Sequence, residues 1–251
     1  MNYYQETLKK IEDNKHLISM IPVDELLRFG YEAGLNNNSK ALDLGCGYGT
    51  LLKVWSEAFG ISGAGVDRHE PFISRGTERL KQSGVDDKIK LICGDAFNYE
   101  DTEKYDVVVC ADFDDVYKSE VSDCVKNTIS VCEKFLKKGG IIAYQDVYSK
   151  VPHPPYELID FEGKMLTLSE LNSTFNELGY YLKCMASDTD SMWEHYAING
   201  FASGNEQQER DKLIENPNDK NIKQSIDNWN RMYFEFRRPY QGQALFGLVK
   251  V

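Results

Sequence analysis

Almost unbroken apolar runs recur along the first 144 residues, at 41–44, 61–66, 89–93, 105–110 and 141–144. Runs this short with little alternation predict the buried strands of a parallel sheet covered on both faces. Between them the spacing changes to threes and fours. Over 120–138 the apolar residues Val121, Cys124, Val125, Ile129, Cys132, Phe135 and Leu136 predict a helix, with Lys134, Lys137 and Lys138 offsetting its dipole and Gly139 taking the left-handed stop. Similar reasoning predicts a charged surface helix over 2–20, on Tyr4, Leu8, Ile11 and Leu17. A second runs from Pro22 to about Gly34, a third from about Tyr48 to Phe59, and a fourth starts at Pro71. Strand and helix alternate, so the expected class is α/β with an open, doubly wound, mostly parallel sheet. Beyond the proline-rich loop 151–155 come a short helix over 169–178 and strands over 180–186 and 244–251.

The first strand runs directly into three glycines two residues apart, in Asp43-Leu44-Gly45-Cys46-Gly47-Tyr48-Gly49. A turn nearly free of side chains lets a ligand touch backbone, and at the carboxyl end of a strand it is the usual nucleotide corner of an α/β sheet. Asp67 closes the second strand, twenty-two residues after Gly45, where a carboxylate can accept both hydroxyls of a ribose. Asp43 separates the possible cofactors. It lies two residues before the first glycine, where its charge repels a dinucleotide's pyrophosphate but attracts the ammonium of S-adenosylmethionine. Gly49 also comes one residue too early for G-x-G-x-x-G, and Thr50 holds that pattern's last position. Both departures count against an NAD-dependent oxidoreductase.

With these residues the chain resembles the class I S-adenosylmethionine-dependent methyltransferases, in particular the small-molecule group of the ubiquinone and menaquinone enzymes. The further motifs are Gly65-Val66-Asp67, Cys93-Gly94-Asp95-Ala96, Tyr105 through Ala111, and Leu136-Lys137-Lys138-Gly139-Gly140, in the family's order across about 22–187. The resemblance implies a seven-stranded Rossmann-like sheet whose last strand inserts antiparallel. It also implies a cofactor, S-adenosyl-L-methionine, held by Asp43, Gly45, Cys46, Gly47, Tyr48, Gly49, Asp67, Arg68, Gly94, Asp95, Ala96 and Ala111. The expected organisation is one domain: a lid helix over 1–21, acting through Tyr3 or Tyr4 as in similar enzymes, or else simply packed; a core over 22–186; a helical cap over 187–243; and the strand 244–251. The cap is too short for a core of its own.

Composition narrows the acceptor. A formal charge of −11 over 251 residues disfavours nucleic acid, whose binding depends on basic residues, and favours a small neutral or cationic substrate. The six cysteines form no C-x-x-C pair, the four histidines make no ligand spacing with them, and no apolar run approaches the ~18 residues of a membrane span. The expectation is a cytoplasmic protein with no metal and no membrane partner; oligomeric state is open. Methyl transfer from a sulfonium needs mainly alignment, so a catalytic residue is optional. Candidates for a base lie after the fourth and fifth strands: Asp112, Tyr144 and Asp146, with Asp112 read alternatively as a solvated acid in the run 112–115. His153, Trp193, His195, Tyr196 and Arg231 are candidates for substrate binding, Tyr233 and Arg237 could join that wall, and the alternative for the cap residues is plain packing. The binding motifs are equally compatible with a non-catalytic sensor or assembly protein that holds the same cofactor.

Overall fold

The computed structural model describes residues 3–111, 121–197 and 211–251. Its strands are β1 (Lys40–Leu44), β2 (Ser62–Asp67), β3 (Ile89–Cys93), β4 (Tyr105–Ala111), β5 (Leu136–Ser149), β6 (Tyr180–Ser187) and β7 (Gln241–Lys250). They form one sheet in the order β3-β2-β1-β4-β5-β7-β6. Every pairing up to β5 is parallel, and β7 runs antiparallel between β5 and β6. The strand order changes direction at β1, running to β2 and β3 on one side and to β4 and β5 on the other, which leaves a crevice at the carboxyl ends of β1 and β4.

Helices cover both faces. α2 (Val23–Ala33), α3 (Thr50–Phe59) and α4 (Glu70–Ser83) contribute Leu26, Phe29, Trp55 and Leu80 to one core, over Ala41, Val107, Val109, Ala143 and Leu245. α5 (Val121–Glu133) and α7 (Leu168–Glu177) place Val125, Ile129, Leu171 and Phe175 on the opposite face, over Leu42, Val108, Ile142, Tyr144 and Phe246. Successive residues of one apolar strand therefore serve different cores, as the period of two demands.

Several boundaries differ from the sequence pattern, among them the helix expected over 2–20, which ends at Lys15, and the strand expected over 141–144, which runs from Leu136 to Ser149. α5 stops at Glu133, and 136–138 begin β5. Lys137 pairs with Asp106 at 2.9 Å instead of offsetting a helix dipole. Gly139 has φ +75° within β5, beside the register shift between Tyr105 and Val107, so its left-handed turn serves a bulge. The helix after the glycine turn begins at Thr50, because Gly49 at φ +66° is its cap. β7 starts at Gln241, three residues ahead of the apolar run; Gln241 and Gln243 are both buried. One element was not expected at all, α6 (Tyr156–Glu162), which starts directly after Pro155.

Between β6 and β7 lie α8 (Asp190–Ala197), α9 (Lys220–Arg231) and a π-helical turn, Met232–Arg237. The insert takes part in two small apolar clusters that residues of the body complete. Met192, Trp193, Ala197 and Tyr233 pack with Met20, while Phe236 packs with Leu158 and Met165. Arg237 is buried at their junction. Its guanidinium is 5.5 Å from the Trp193 ring, 5.6 Å from Trp229 and 6.0 Å from Phe161, and its Nε meets Glu162 at 2.6 Å.

Candidate functional site

A cavity of about 660 Å³ lies at the carboxyl ends of the central strands, lined by the glycine turn, by Asp43, Asp67, Asp95 and Ala96, and by Ala111 and Gln145. The turn is tied to its neighbour strand: the Gly45 and Cys46 N–H groups both donate to the Val66 carbonyl, at 2.8 and 3.1 Å. The Asp67 carboxylate receives the N–H of Gly47 and that of His69, each at 2.8 Å. Asp67 thus shapes the turn as well as facing the cavity. Asp95, on the loop after β3, accepts from the Phe97 N–H at 3.0 Å and from the Asn98 side chain at 2.6 Å.

Asp43 has a different environment. It is buried, and its Oδ1 has no hydrogen-bond partner. Burial, reinforced by the nearby charge of Asp67, pushes its pKa up to about 7. Such a group is a standing electrostatic cost that a bound cation removes.

The remaining wall comes from residues 16–19, which join α1 (Tyr3–Lys15) to α2. A Cβ added at Gly47 would come 3.1 Å from the Ile18 Cδ1, so this segment lies directly over the turn. The Thr50 hydroxyl donates to the His16 carbonyl at 2.7 Å, and the His16 ring stands edge-on to Tyr48 at 5.7 Å. Asp13, at the end of α1, is held by Lys53 at 2.9 Å and Arg79 at 3.0 Å. The side chains of Tyr3 and Tyr4 lie outside the described residues.

Of the cofactor candidates, Asp43, Gly45, Cys46, Gly47, Tyr48, Asp67, Arg68, Asp95, Ala96 and Ala111 line this cavity. Gly49 and Gly94 do not. A Cβ on Gly49 would meet the Leu91 side chain at 2.7 Å, which makes Gly49 a packing glycine, and Gly94 joins the strands by donating its N–H to the Asp67 carbonyl at 3.0 Å. Asp112 lies outside the described residues. Tyr144 is in the core against Phe175 and Phe246 and donates to Asp146 at 2.7 Å; neither residue lines the cavity. The residue between them, Gln145, does. Strand alternation sends Tyr144 and Asp146 to the α5 face and Gln145 to the other.

The substrate candidates are also away from this cavity. His153 is exposed on the proline loop. Trp193 is fully buried beneath Arg237, with its indole N–H on Asp188, and Tyr196 packs beside it. His195 is half-buried on α8, where burial and Lys15 lower its pKa. Arg231 is exposed and pairs with Glu235 at 3.1 Å. Sequence reasoning named neither Phe97 nor Gln145 as lining residues, and gave 16–19 only within the lid expected over 1–21. Gln145 had a signal, as a lone amide among apolar strand residues, whereas nothing local marks 16–19.

Comparison with known proteins matches this geometry. The methyltransferase domain family model spans residues 35–232, well over half of the chain. The structure of a SAM-dependent methyltransferase from Geobacter sulfurreducens, in complex with S-adenosyl-L-homocysteine, superposes with a TM-score of 0.78 at 26% identity, covering 94% of each chain. An uncharacterized protein of Escherichia coli K12, YjhP, is 24% identical over 248 residues, 95% of this chain and 96% of that one. Its crystal structure gives a TM-score of 0.80. A ubiquinone biosynthesis O-methyltransferase from Methylococcus capsulatus is 26% identical over 105 residues, 42% of each protein. The chain belongs to the methyltransferase domain family, with the seven-stranded Rossmann-like fold of those enzymes.

Proposed function

We propose that this methyltransferase moves the methyl group of S-adenosylmethionine to a small-molecule acceptor, chiefly by holding the reactants in line. The observation that carries this reading is the sequence of acids along one cavity: Asp95 after β3, Asp67 at the end of β2 and the unpartnered Asp43 on β1. The strand order makes them successive stations. An adenine amine, a ribose diol and an ammonium are the complementary groups, and S-adenosylmethionine carries all three. A dinucleotide would place a pyrophosphate beside Asp43, at a carboxylate already burdened by burial.

In this reading Asp43 takes the ammonium, Asp67 the ribose hydroxyls and Asp95 with Ala96 the adenine edge. Cys46, Gly47 and Tyr48 present backbone to the nucleoside, Arg68 borders it, and Ala111 marks where the methionine end meets the acceptor side. The bound cofactor supplies an already activated methyl carbon on a sulfonium, so the protein's task is orientation and exclusion of water. The segment 16–19 serves the second purpose by covering the glycine turn. Its latch, Asp13 with Lys53 and Arg79, supports a lid role for the N-terminal segment.

The net charge of −11 supports a neutral or cationic acceptor, and six free cysteines support a reducing, cytoplasmic setting. Among the described residues no helix is long and apolar enough to cross a membrane. The test is a labelled-methyl transfer assay from S-adenosylmethionine to pooled small metabolites, paired with calorimetry of S-adenosylhomocysteine and NAD. Transfer to a small product with selective binding of the adenosyl ligand is expected. Binding without transfer to any pool would favour a sensor, and preference for NAD would overturn the assignment.

A further inference from the structure

The methionine end of the cofactor bears two charges, and the acids of the cavity account for the ammonium alone. Among the described residues the only guanidinium lining the cavity is Arg68, which follows Asp67 at the ribose station. Past Asp43 the next strands in the sheet are β4 and β5. Asp43 stands in register with Val109 and Val109 with Ala143, while one step further Ala111 is level with Gln145. With the strand period of two, Asp43, Ala111 and Gln145 share one sheet face. At ~4.8 Å per strand, β1 and β5 are about 10 Å apart, and two facing side chains reduce that gap to the size of one α-amino acid.

Gln145 is unusual for its setting. It is 6% exposed yet lines the cavity, and its Oε1 lies 3.4 Å from the Ser19 hydroxyl. Ser19 donates to the Gln243 Oε1 at 2.9 Å, and that oxygen takes the Met20 N–H at 2.8 Å. The Ser19 oxygen in turn accepts the Ile21 N–H at 3.0 Å. The single Ser19 proton serves the shorter bond to Gln243, so the 3.4 Å contact only sets the Gln145 carboxamide beside Ser19, and among the described residues the Gln145 Nε2 donates to no group. An amide donor held over a cavity, opposite a buried carboxylate with an open oxygen, is the arrangement a zwitterion needs.

On the cofactor reading above, we propose that Gln145 holds the methionine carboxylate by donating its carboxamide N–H, with Ser19 and Gln243 as positioning residues. Recognition by a neutral donor keeps the cavity free of a second cation beside the sulfonium. It also explains why a glutamine sits on β5 level with the carboxyl end of β4, next to residues of the core.

Calorimetry with two probes tests this. One is S-adenosylhomocysteine, and the other is 5′-deoxy-5′-(3-aminopropylthio)adenosine, which keeps the ammonium and lacks only the carboxylate. Wild-type protein should prefer the first by about 10-fold or more, the scale of a hydrogen bond to a charged group. Gln145→Leu should bind both equally, Gln145→Glu should reverse the preference, and Gln243→Leu should reduce it, with melting temperature followed throughout. Equal binding of the two probes by wild-type protein overturns the proposal even if the variants do not fold. A Gln145→Leu protein that keeps the full preference overturns it while the cofactor reading stands. No binding of S-adenosylhomocysteine by wild-type protein overturns both.

Discussion

Asp13 and Asp43 are buried to the same degree, 3% exposed each, and they answer that burial in opposite ways. Asp13 sits in the last turn of α1 with Lys53, Arg79 and Lys9 all within 3.0 Å. Burial alone would raise its pKa, but the hydrogen bonds and charges of Lys53 and Lys9 outweigh it and hold the carboxyl below its usual range. Asp43 has no cation and one unpartnered oxygen, and its pKa climbs to about 7. A buried carboxylate whose partners are built in fastens the fold. One left without them is a socket, and the missing partner must come from a ligand.

The contrast is broken most severely at the fastener. Among the described residues, Asp13→Ala leaves Arg79 with only the Thr50 hydroxyl and Lys53 with only Glu57 at 3.2 Å, and losing one member of a buried ion pair costs about 3–5 kcal/mol. A fall of roughly 10 °C in melting temperature is expected by scanning calorimetry at 2–4 °C per kcal/mol. A change within ~2 °C would show that the network is no latch.

At the socket the sign reverses. Below pH 3.8 the Asp43 carboxyl is protonated in folded and unfolded chains alike. Between 3.8 and about 7 the folded state keeps a proton that the unfolded chain has lost, so this residue makes stability decline as pH rises. Above that window the full penalty applies. Asp43→Asn should therefore raise the stability of ligand-free protein at pH 8 by roughly 2–4 kcal/mol, with little gain at pH 4. The same variant should bind S-adenosylhomocysteine at least about tenfold more weakly. Equal stability at both pH values would remove the case for a strained carboxylate.

Asp67 is intermediate, half-buried and engaged by two backbone N–H groups. Asp67→Ala should weaken S-adenosylhomocysteine by about 1.5–3 kcal/mol for each ribose hydrogen bond lost, measured by titration calorimetry. Because Gly47 and His69 lose their acceptor too, a modest drop in melting temperature should accompany it. The smallest effect is a fraction of a proton. At pH 6.5 a cation bound beside Asp43 should drive its deprotonation, so binding enthalpies in two buffers of different ionisation heat should differ in the direction of proton release. In Asp43→Asn the difference should vanish.

The parts legible in the sequence share a short range. The glycine turn, Asp43 and Asp67 are written within thirty residues, and β3 was read with its observed limits because a parallel buried strand declares itself by continuous apolar residues. Errors arose where two readings share one pattern. Leu136 continues the helical spacing of Phe135 and Cys132, and only pairing with Tyr105 commits it to β5. Tyr144 and Asp146 carry the more reactive groups, but the face of the sheet decides, and the face belongs to Gln145. The wall made by 16–19 has no motif because its position follows from a salt bridge forty residues away, between Asp13 and Lys53.

The place of β7 has a consequence for how the chain is made. Among the described residues β6 has one sheet neighbour, β7, which the chain reaches only after residues 188–240. During synthesis at about 5–20 residues per second, several seconds separate the emergence of β6 from that of its partner. Through that interval both β5 and β6 present unpaired edges to whatever is nearby, a nascent-chain hazard that chaperones exist to shield. Gln243 arrives with β7 and anchors Ser19, made more than two hundred residues earlier, so that stretch of the cavity wall gains its anchor only after the parallel strands have been made.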